Sequence, residues 1–207
     1  MARVAILDSG INPGHPHIRS VAAGFNATAG GVPEDWIDRT GHGTAVAGAI
    51  HSFAPDAELL AIKIFDRALR TDFNSILRGI EWAFDNGADI MNFSLGTSNS
   101  KHREALEQLV VRGGIWVSAA SLDDEALYPG SIQNVIAVEA DPSLERHQCR
   151  CLGGFRFAAS PYPREIPGVS REQNLQGISF AVANVSGLIA RSSSGTAAEA
   201  VEYLRKL

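Results

Sequence analysis

The stretch Val4-Ala5-Ile6-Leu7-Asp8-Ser9-Gly10-Ile11 decides how the chain is read. Four apolar residues in a row predict a buried strand, and Ser9-Gly10 predicts a turn at its end. Asp8 therefore stands where the strand gives way to loop. Working outward, the same alternation recurs. Thr44–Ile50 reads as a helix of small residues and Leu59–Phe65 as a second strand. Thr71–Asn86 carries Phe73, Ile76, Leu77, Ile80 and Phe84 on one helical face, with Thr71 as its cap and Gly87 as its stop. Asp89–Phe93, Ile115–Ala119, Val135–Val138 and Phe155–Ala158 read as strands. Lys101–Arg112 reads as a helix turned inward through Leu106, Leu109 and Val110.

Residues 12–40, rich in Pro, Gly, Asn and Asp, read as loop. Ser179–Ala190 is apolar nearly all round, as a helix inside a core must be, and Thr196-Ala197-Ala198-Glu199 is a capping box opening a last helix with Val201 and Leu204 inside. Strands alternating with helices imply an α/β fold: one domain over residues 1–207, three layers α/β/α, with a mostly parallel central sheet. In such sheets the site lies beyond the carboxyl ends of the strands. Asp8, Ser94 and Ser121 each follow a strand and are expected at that one edge.

Composition narrows the function. A net charge of -5, with no basic stripe, argues against nucleic acid as the partner. No apolar stretch is long enough for a membrane span. The opening run Met1–Leu7 is too short for a signal peptide and leaves no room for a propeptide, so the expectation is a cytoplasmic protein that folds without a covalent prodomain. Cys149 and Cys151, one residue apart, make a poor disulfide and read as reduced thiols. No second pair completes a metal site with them, and no cofactor is expected.

Three residues carry chemistry. Serine is a weak nucleophile that needs a base within reach, histidine has the pKa to serve, and a carboxylate must fix the imidazole tautomer. Gly41-His42-Gly43-Thr44-Ala45-Val46-Ala47-Gly48 offers His42, Gly177-Ile178-Ser179-Phe180-Ala181 offers Ser179, and Asp8 offers the carboxylate. Ser179 would open the buried helix, so its own N–H and the helix dipole would face a developing oxyanion. Read singly, Asp8 is a turn cap, His42 a loop residue and Ser179 a helix cap. Their joint order and placement favour a triad.

With these motifs the chain resembles the subtilisin-like serine proteases. Asp8-Ser9-Gly10-Ile11 with His15-Pro16, Asp38-Arg39-Thr40-Gly41-His42-Gly43-Thr44, Asn92-Phe93-Ser94-Leu95-Gly96, Val117-Ser118-Ala119-Ala120-Ser121, Tyr128-Pro129-Gly130 and the serine motif all resemble family stretches, in family order. The resemblance implies peptide-bond hydrolysis through an acyl-enzyme. It implies a peptide or protein substrate that adds as a strand beside Ser94, Leu95 and Gly96, with Ala119 and Ala120 on the opposite wall. It places Ser121 and the Ser179 N–H in the oxyanion hole.

The departures are as informative. Ser121 stands where the family usually has Asn, and such a donor is worth on the order of 10² to 10³ in rate in a subtilisin. Ile178, Phe180, Ala183 and Asn184 replace the usual neighbours of the nucleophile. The stretch Ala49–Pro55 runs on without the family's calcium-binding insertion, so no metal is expected there. Both ends are short, and a homo- or hetero-oligomeric partner could cover the core edge they leave bare.

The function expected is a selective intracellular endopeptidase, for example one that removes a leader from a precursor peptide. The alternative is a catalytically weak or inactive relative acting as a peptide-binding or partner subunit. Transpeptidation or cyclisation would use the same triad. Ala120 would narrow the first pocket, and Asp123-Asp124-Glu125 reads as a solvated acidic loop or as an acidic mouth favouring basic residues.

Overall fold

The computed structural model describes residues 1–122 and 125–207. Asp123 and Asp124 of the acidic mouth lie outside the described residues. Among the described residues ten strands form: β1 (Arg3–Asp8), β2 (Ala23–Asn26), β3 (Glu58–Lys63), β4 (Ile90–Phe93), β5 (Ile115–Ala119), β6 (Ser121–Leu122), β7 (Glu125–Ala126), β8 (Ile136–Ala140), β9 (Cys149–Gly153) and β10 (Arg156–Ala159). Five helices accompany them: α1 (His42–Phe53), α2 (Phe73–Asp85), α3 (Arg103–Val110), α4 (Ile178–Ser192) and α5 (Ala197–Leu204).

Eight strands make one sheet in the order β2-β3-β1-β4-β5-β8-β10-β9. Every neighbouring pair is parallel except β9 with β10. The inner strands are buried on both faces, which is why they read as unbroken apolar runs rather than alternating ones. The alternate residues Val4, Ile6, Leu59, Val117 and Phe157 face α1, α4 and α5. Ala5, Leu7, Ile62, Met91 and Trp116 face α2 and α3. These are the three layers read from the sequence.

From β1 the chain builds first toward β3 and then returns to add β4 on the other side. This reversal of direction opens a crevice beyond the ends of β1 and β4, the place where open α/β sheets hold their ligands. Helix α4 lies under it. All eleven residues Phe180–Ala190 are buried, and Gly187 lets the helix pass close to α1, where a Cβ would stand 3.0 Å from the Ile50 backbone.

Several boundaries differ from the sequence reading. The loop assigned to residues 12–40 contains β2, an edge strand whose glycine and partial exposure hide it. Strand β9 was missed as well. Its Arg150, Cys151 and Leu152 are exposed at the sheet edge while Cys149 packs against the core, although Gly153-Gly154, at φ +114° and +56°, is a hairpin signal. Both thiols are free, and burial, then the neighbouring Cys151, pushes Cys149 up to about 12. The span Lys101–Arg112 divides into a 3-10 turn at Ser100–His102 followed by α3.

Helix α2 is capped by Asp72 rather than Thr71. The Asp72 carboxylate accepts from the Ser75 N–H at 2.9 Å. A carboxylate complements the helix dipole better than a hydroxyl one residue too early. Asp72→Ala is expected to lower stability by about 1 kcal/mol in chemical denaturation, while Thr71→Ala changes it by less than about 0.5 kcal/mol.

Candidate active site

Asp8 ends β1 and is fully buried, and His42 opens α1 directly above it. His42 Nδ1 lies 2.8 Å from Asp8 Oδ1. The approach depends on Gly43. A Cβ there would sit 2.2 Å from the Gly10 carbonyl, so only glycine lets the helix start press on the β1 turn. Asp8 Oδ1 also accepts the Ser9 N–H at 2.7 Å, whereas Asp8 Oδ2 is buried with no hydrogen-bond partner among the described residues. A carboxylate this sparsely satisfied favours a cation beside it. Burial pulls the His42 pKa down, but the hydrogen bond it donates to Asp8, the charge of Asp8 and that of Asp38 outweigh burial and raise it above 6.5.

A second buried carboxylate supports the first. Asp38 accepts from the Thr40 and Gly41 N–H groups through Oδ1, at 2.8 and 3.0 Å. Through Oδ2 it accepts from the Thr44 N–H at 2.9 Å and the Thr44 hydroxyl at 2.6 Å. It thus satisfies the amides around the start of α1. Burial works to raise its pKa, yet these hydrogen bonds prevail and hold it below the ordinary value. Ser9 joins the two acids: its Oγ lies 2.9 Å from Asp38 Oδ1, 3.2 Å from Asp8 Oδ1, and accepts the Gly43 N–H at 3.0 Å. Lys63, buried at the end of β3, donates to the Ile37 carbonyl at 3.1 Å and steadies the approach to Asp38. Sequence reasoning gave Asp38 and Ser9 no role. The signal was the spacing Asp38, Thr40, Thr44 around a helix start, which is a capping pattern.

Ser179 sits in the first turn of α4 after Gly177, whose φ of +148° suits glycine. The helix ladder leaves first-turn amides such as the Ser179 N–H free. The Phe180 ring packs on the His42 imidazole at 5.5 Å between centroids, linking the two motifs. Ser179 Oγ donates to the Ser94 carbonyl at 3.0 Å, and among the described residues no hydrogen bond joins it to His42. The Ser94 hydroxyl returns a bond to the Ser179 carbonyl at 3.2 Å. Behind it, the buried Asn92 donates to Ser94 Oγ at 2.9 Å and accepts from Ser186 Oγ at 2.9 Å. Strand β4 and helix α4 are therefore locked together by a polar chain under Ser179.

The remaining expected residues line the same edge. Ser94, Leu95 and Gly96 leave β4 as extended chain, and Thr97 pairs with Tyr128 in both directions, at 3.0 and 2.9 Å. Gly96 lies against Leu127, where a Cβ would come within 2.7 Å of that side chain. Ala119 and Ala120 are buried, so Ala119 packs into the core and can offer the cleft only its backbone. Ser121 begins the short β6–β7 hairpin just past β5, partly exposed, and its hydroxyl has no hydrogen-bond partner among the described residues. A cavity of about 370 Å³ opens beside Leu95 and Gly96, with Phe65, Leu69 and Phe73 on its walls together with Arg70, Thr71 and His102.

An NMR titration is expected to place the His42 midpoint above 6.5. Because the folded value is raised, the pair adds stability below pH 6.5 that is lost as pH rises through the folded midpoint. Ser9→Ala leaves the Gly43 N–H unpaired and removes the link between Asp8 and Asp38. It is expected to cost about 1–3 kcal/mol in denaturant unfolding.

Comparison with known proteins gives this arrangement its family. The model of the Subtilase family matches residues 2–147, a span that holds Asp8 and His42. The chain is similar to Minor extracellular protease Epr of Bacillus subtilis, 34% identical over 182 residues, 81% of this chain and 27% of that protein. It is similar to Subtilisin E of the same organism, 31% identical over 95% of this chain and 54% of that protein. An intracellular serine protease of Paenibacillus polymyxa is 30% identical over 91% of this chain and 65% of that protein. The chain thus spans about half the length of most of the curated relatives it matches. Two crystal structures share the fold: a cold adapted subtilisin-like serine proteinase (TM-score 0.78, 20% identity, 99% of this chain and 81% of that one) and a lanthipeptide protease (TM-score 0.74, 19% identity, 99% and 80%). By its family match over more than half its length and its relatives' identity across nearly all of it, the chain belongs to the subtilase family.

Proposed function

We propose that the chain is a serine endopeptidase with Ser179 as nucleophile, His42 as general base and Asp8 as the group that orients and charges His42. The observation that carries this reading is the 2.8 Å contact of His42 Nδ1 with a fully buried carboxylate. It fixes the tautomer with the proton on Nδ1, leaving Nε2 to take the serine proton. A peptide adding as a strand along Ser94-Leu95-Gly96 presents an N–H to the Ser94 carbonyl. That N–H displaces Ser179 Oγ and frees it to turn toward His42. Attack on the scissile carbonyl then builds an oxyanion, met by the Ser179 N–H and the Ser121 hydroxyl. His42 returns its proton to the leaving amine, and water resolves the acyl-enzyme. The cavity beside Gly96, with Phe65, Leu69 and Phe73 on its walls, takes a side chain of the bound strand.

The task that fits is selective processing of a precursor peptide inside the cell. Support comes from the intracellular relative and from the lanthipeptide protease of the same fold. No helix among the described residues is long and apolar enough to cross a membrane. A second reading, a peptide-binding relative with little turnover, is favoured by one observation: the Ser179 hydroxyl rests on Ser94 rather than His42.

Labelling with a fluorophosphonate probe separates the two. We expect adduct on Ser179 alone, none in Ser179→Ala, and kcat/KM falling in acid with a midpoint above 6.5 as His42 is protonated. Peptide binding with neither labelling nor turnover would establish the second reading instead. Ser121→Ala is expected to lower kcat by on the order of 10², with KM little changed. An unchanged kcat would remove Ser121 from the oxyanion hole.

A further inference from the structure

A large cavity lies away from Ser179. It holds about 850 Å³ on the α1–α4 side of the sheet, between the end of α1 and the segment 162–174. Four guanidinium groups line it: Arg19, Arg146, Arg164 and Arg171. Among the described residues two carboxylates, Glu145 and Glu165, accompany them on its walls. Arg171 lies 3.4 Å from Glu145, and Arg19 meets Asp56 at 3.7 Å in an exposed pair. Arg146 has neutral partners: the Ser52 hydroxyl at 2.6 Å, the Asn184 side-chain oxygen at 3.1 Å and the Ala49 carbonyl at 3.4 Å. Neither Arg146 nor Arg164 forms an ion pair with a carboxylate among the described residues.

The surplus of positive charge is felt nearby. Burial holds His51 below its ordinary value, and Arg19 and Arg164 push the same way. Burial, then Arg164, His15 and Arg146, lower His17. Burial lowers even Arg146 to about 10, against the charge of Glu165 and together with that of Arg164, and no carboxylate is in contact with it among the described residues.

A second cavity of about 400 Å³ shares Pro163, Arg164, Ile166 and Asn174 as walls and reaches Gly41 and Thr44, beside His42. The two share no wall residue with the cavity at Leu95 and Gly96. The space is in the range that takes a drug-sized ligand or a stretch of chain, far more than one small anion needs.

We propose that this arginine cavity anchors acidic side chains of the peptide substrate, a second binding site apart from the Ser94–Gly96 edge. The inference rests on the reading of the chain as one that takes peptides. The guanidinium groups pair with Asp or Glu carboxylates in the geometry that favours arginine over lysine. A chain held there and at the β4 edge would be selected twice, once by charge and once by strand pairing, which gives a processing enzyme its discrimination.

The test uses Ser179→Ala protein and two fluorescent peptides, one with paired glutamates and one with alanines in their place. Anisotropy at low salt is expected to show the acidic peptide binding about tenfold more tightly. Raising salt should erase the preference in the protein without any cavity substitution. Arg164→Glu, at a residue outside the catalytic machinery, should abolish the preference while leaving turnover of a short uncharged peptide by the otherwise wild-type enzyme unchanged. Equal affinity for both peptides, or a preference that survives both salt and Arg164→Glu, overturns the inference. Competition by inorganic phosphate without any peptide preference assigns the cavity to a small anion and also overturns it. Turnover without acidic preference defeats this inference alone, and acidic preference without turnover or labelling defeats only the hydrolase reading.

Discussion

Two carboxylates, Asp8 and Asp38, are buried within reach of one hydroxyl, that of Ser9. Burying one unpaired carboxylate is costly, and burying two that face each other is worse. The structure meets this cost differently at each acid. Asp38 is satisfied by amides and hydroxyls around the start of α1, so it stays ionised without a cation in contact. Asp8 is left with one oxygen unpartnered and the other on His42, so its charge is expressed on the imidazole. The first acid shapes the helix start and the second acts through it.

The same constraint explains the glycines at the site. Gly43 must lack a Cβ so that α1 can close on the Gly10 carbonyl and set His42 over Asp8. On the other side, α4 delivers Ser179 because its buried face packs against the sheet and because Asn92, Ser94 and Ser186 tie it to β4. Ser179 and His42 come from two helices on one face of the sheet, and Asp8 from a strand of the sheet they cover. Asn184, at a position where the family's usual residue differs, is absorbed into this support. It is buried, and its side-chain amide donates to the carbonyls of Ser160 and Tyr162 while accepting from Arg146. The departure in the serine motif therefore supports Arg146 and Tyr162, two walls of the arginine cavity, from beneath.

Much of this was legible in the order of residues. Apolar runs such as Val4–Leu7 and Ile115–Ala119 have no partner in water, and their length and spacing require a sheet covered on both faces. The capping box at Thr196–Glu199 uses only local hydrogen bonds and forms as written. The motifs around Asp8, His42 and Ser179 name their own chemistry because few residue types can perform it. Elements at the sheet edges were hidden for the converse reason. Strands β2 and β9 are held by pairing with β3 and β10, not by a pattern of their own.

What tertiary structure alone decided is every relation between distant segments. The sequence by itself determined which residues could act and which stretches must be buried, since those follow from side-chain chemistry and local periodicity. It could not determine that Ser9 joins Asp8 to Asp38, that Ser179 rests on Ser94, or that Arg19, Arg146, Arg164 and Arg171 surround one space. Those depend on how strands order and how helices cross. That is a balance of packing over the whole core, in which no short stretch carries the answer.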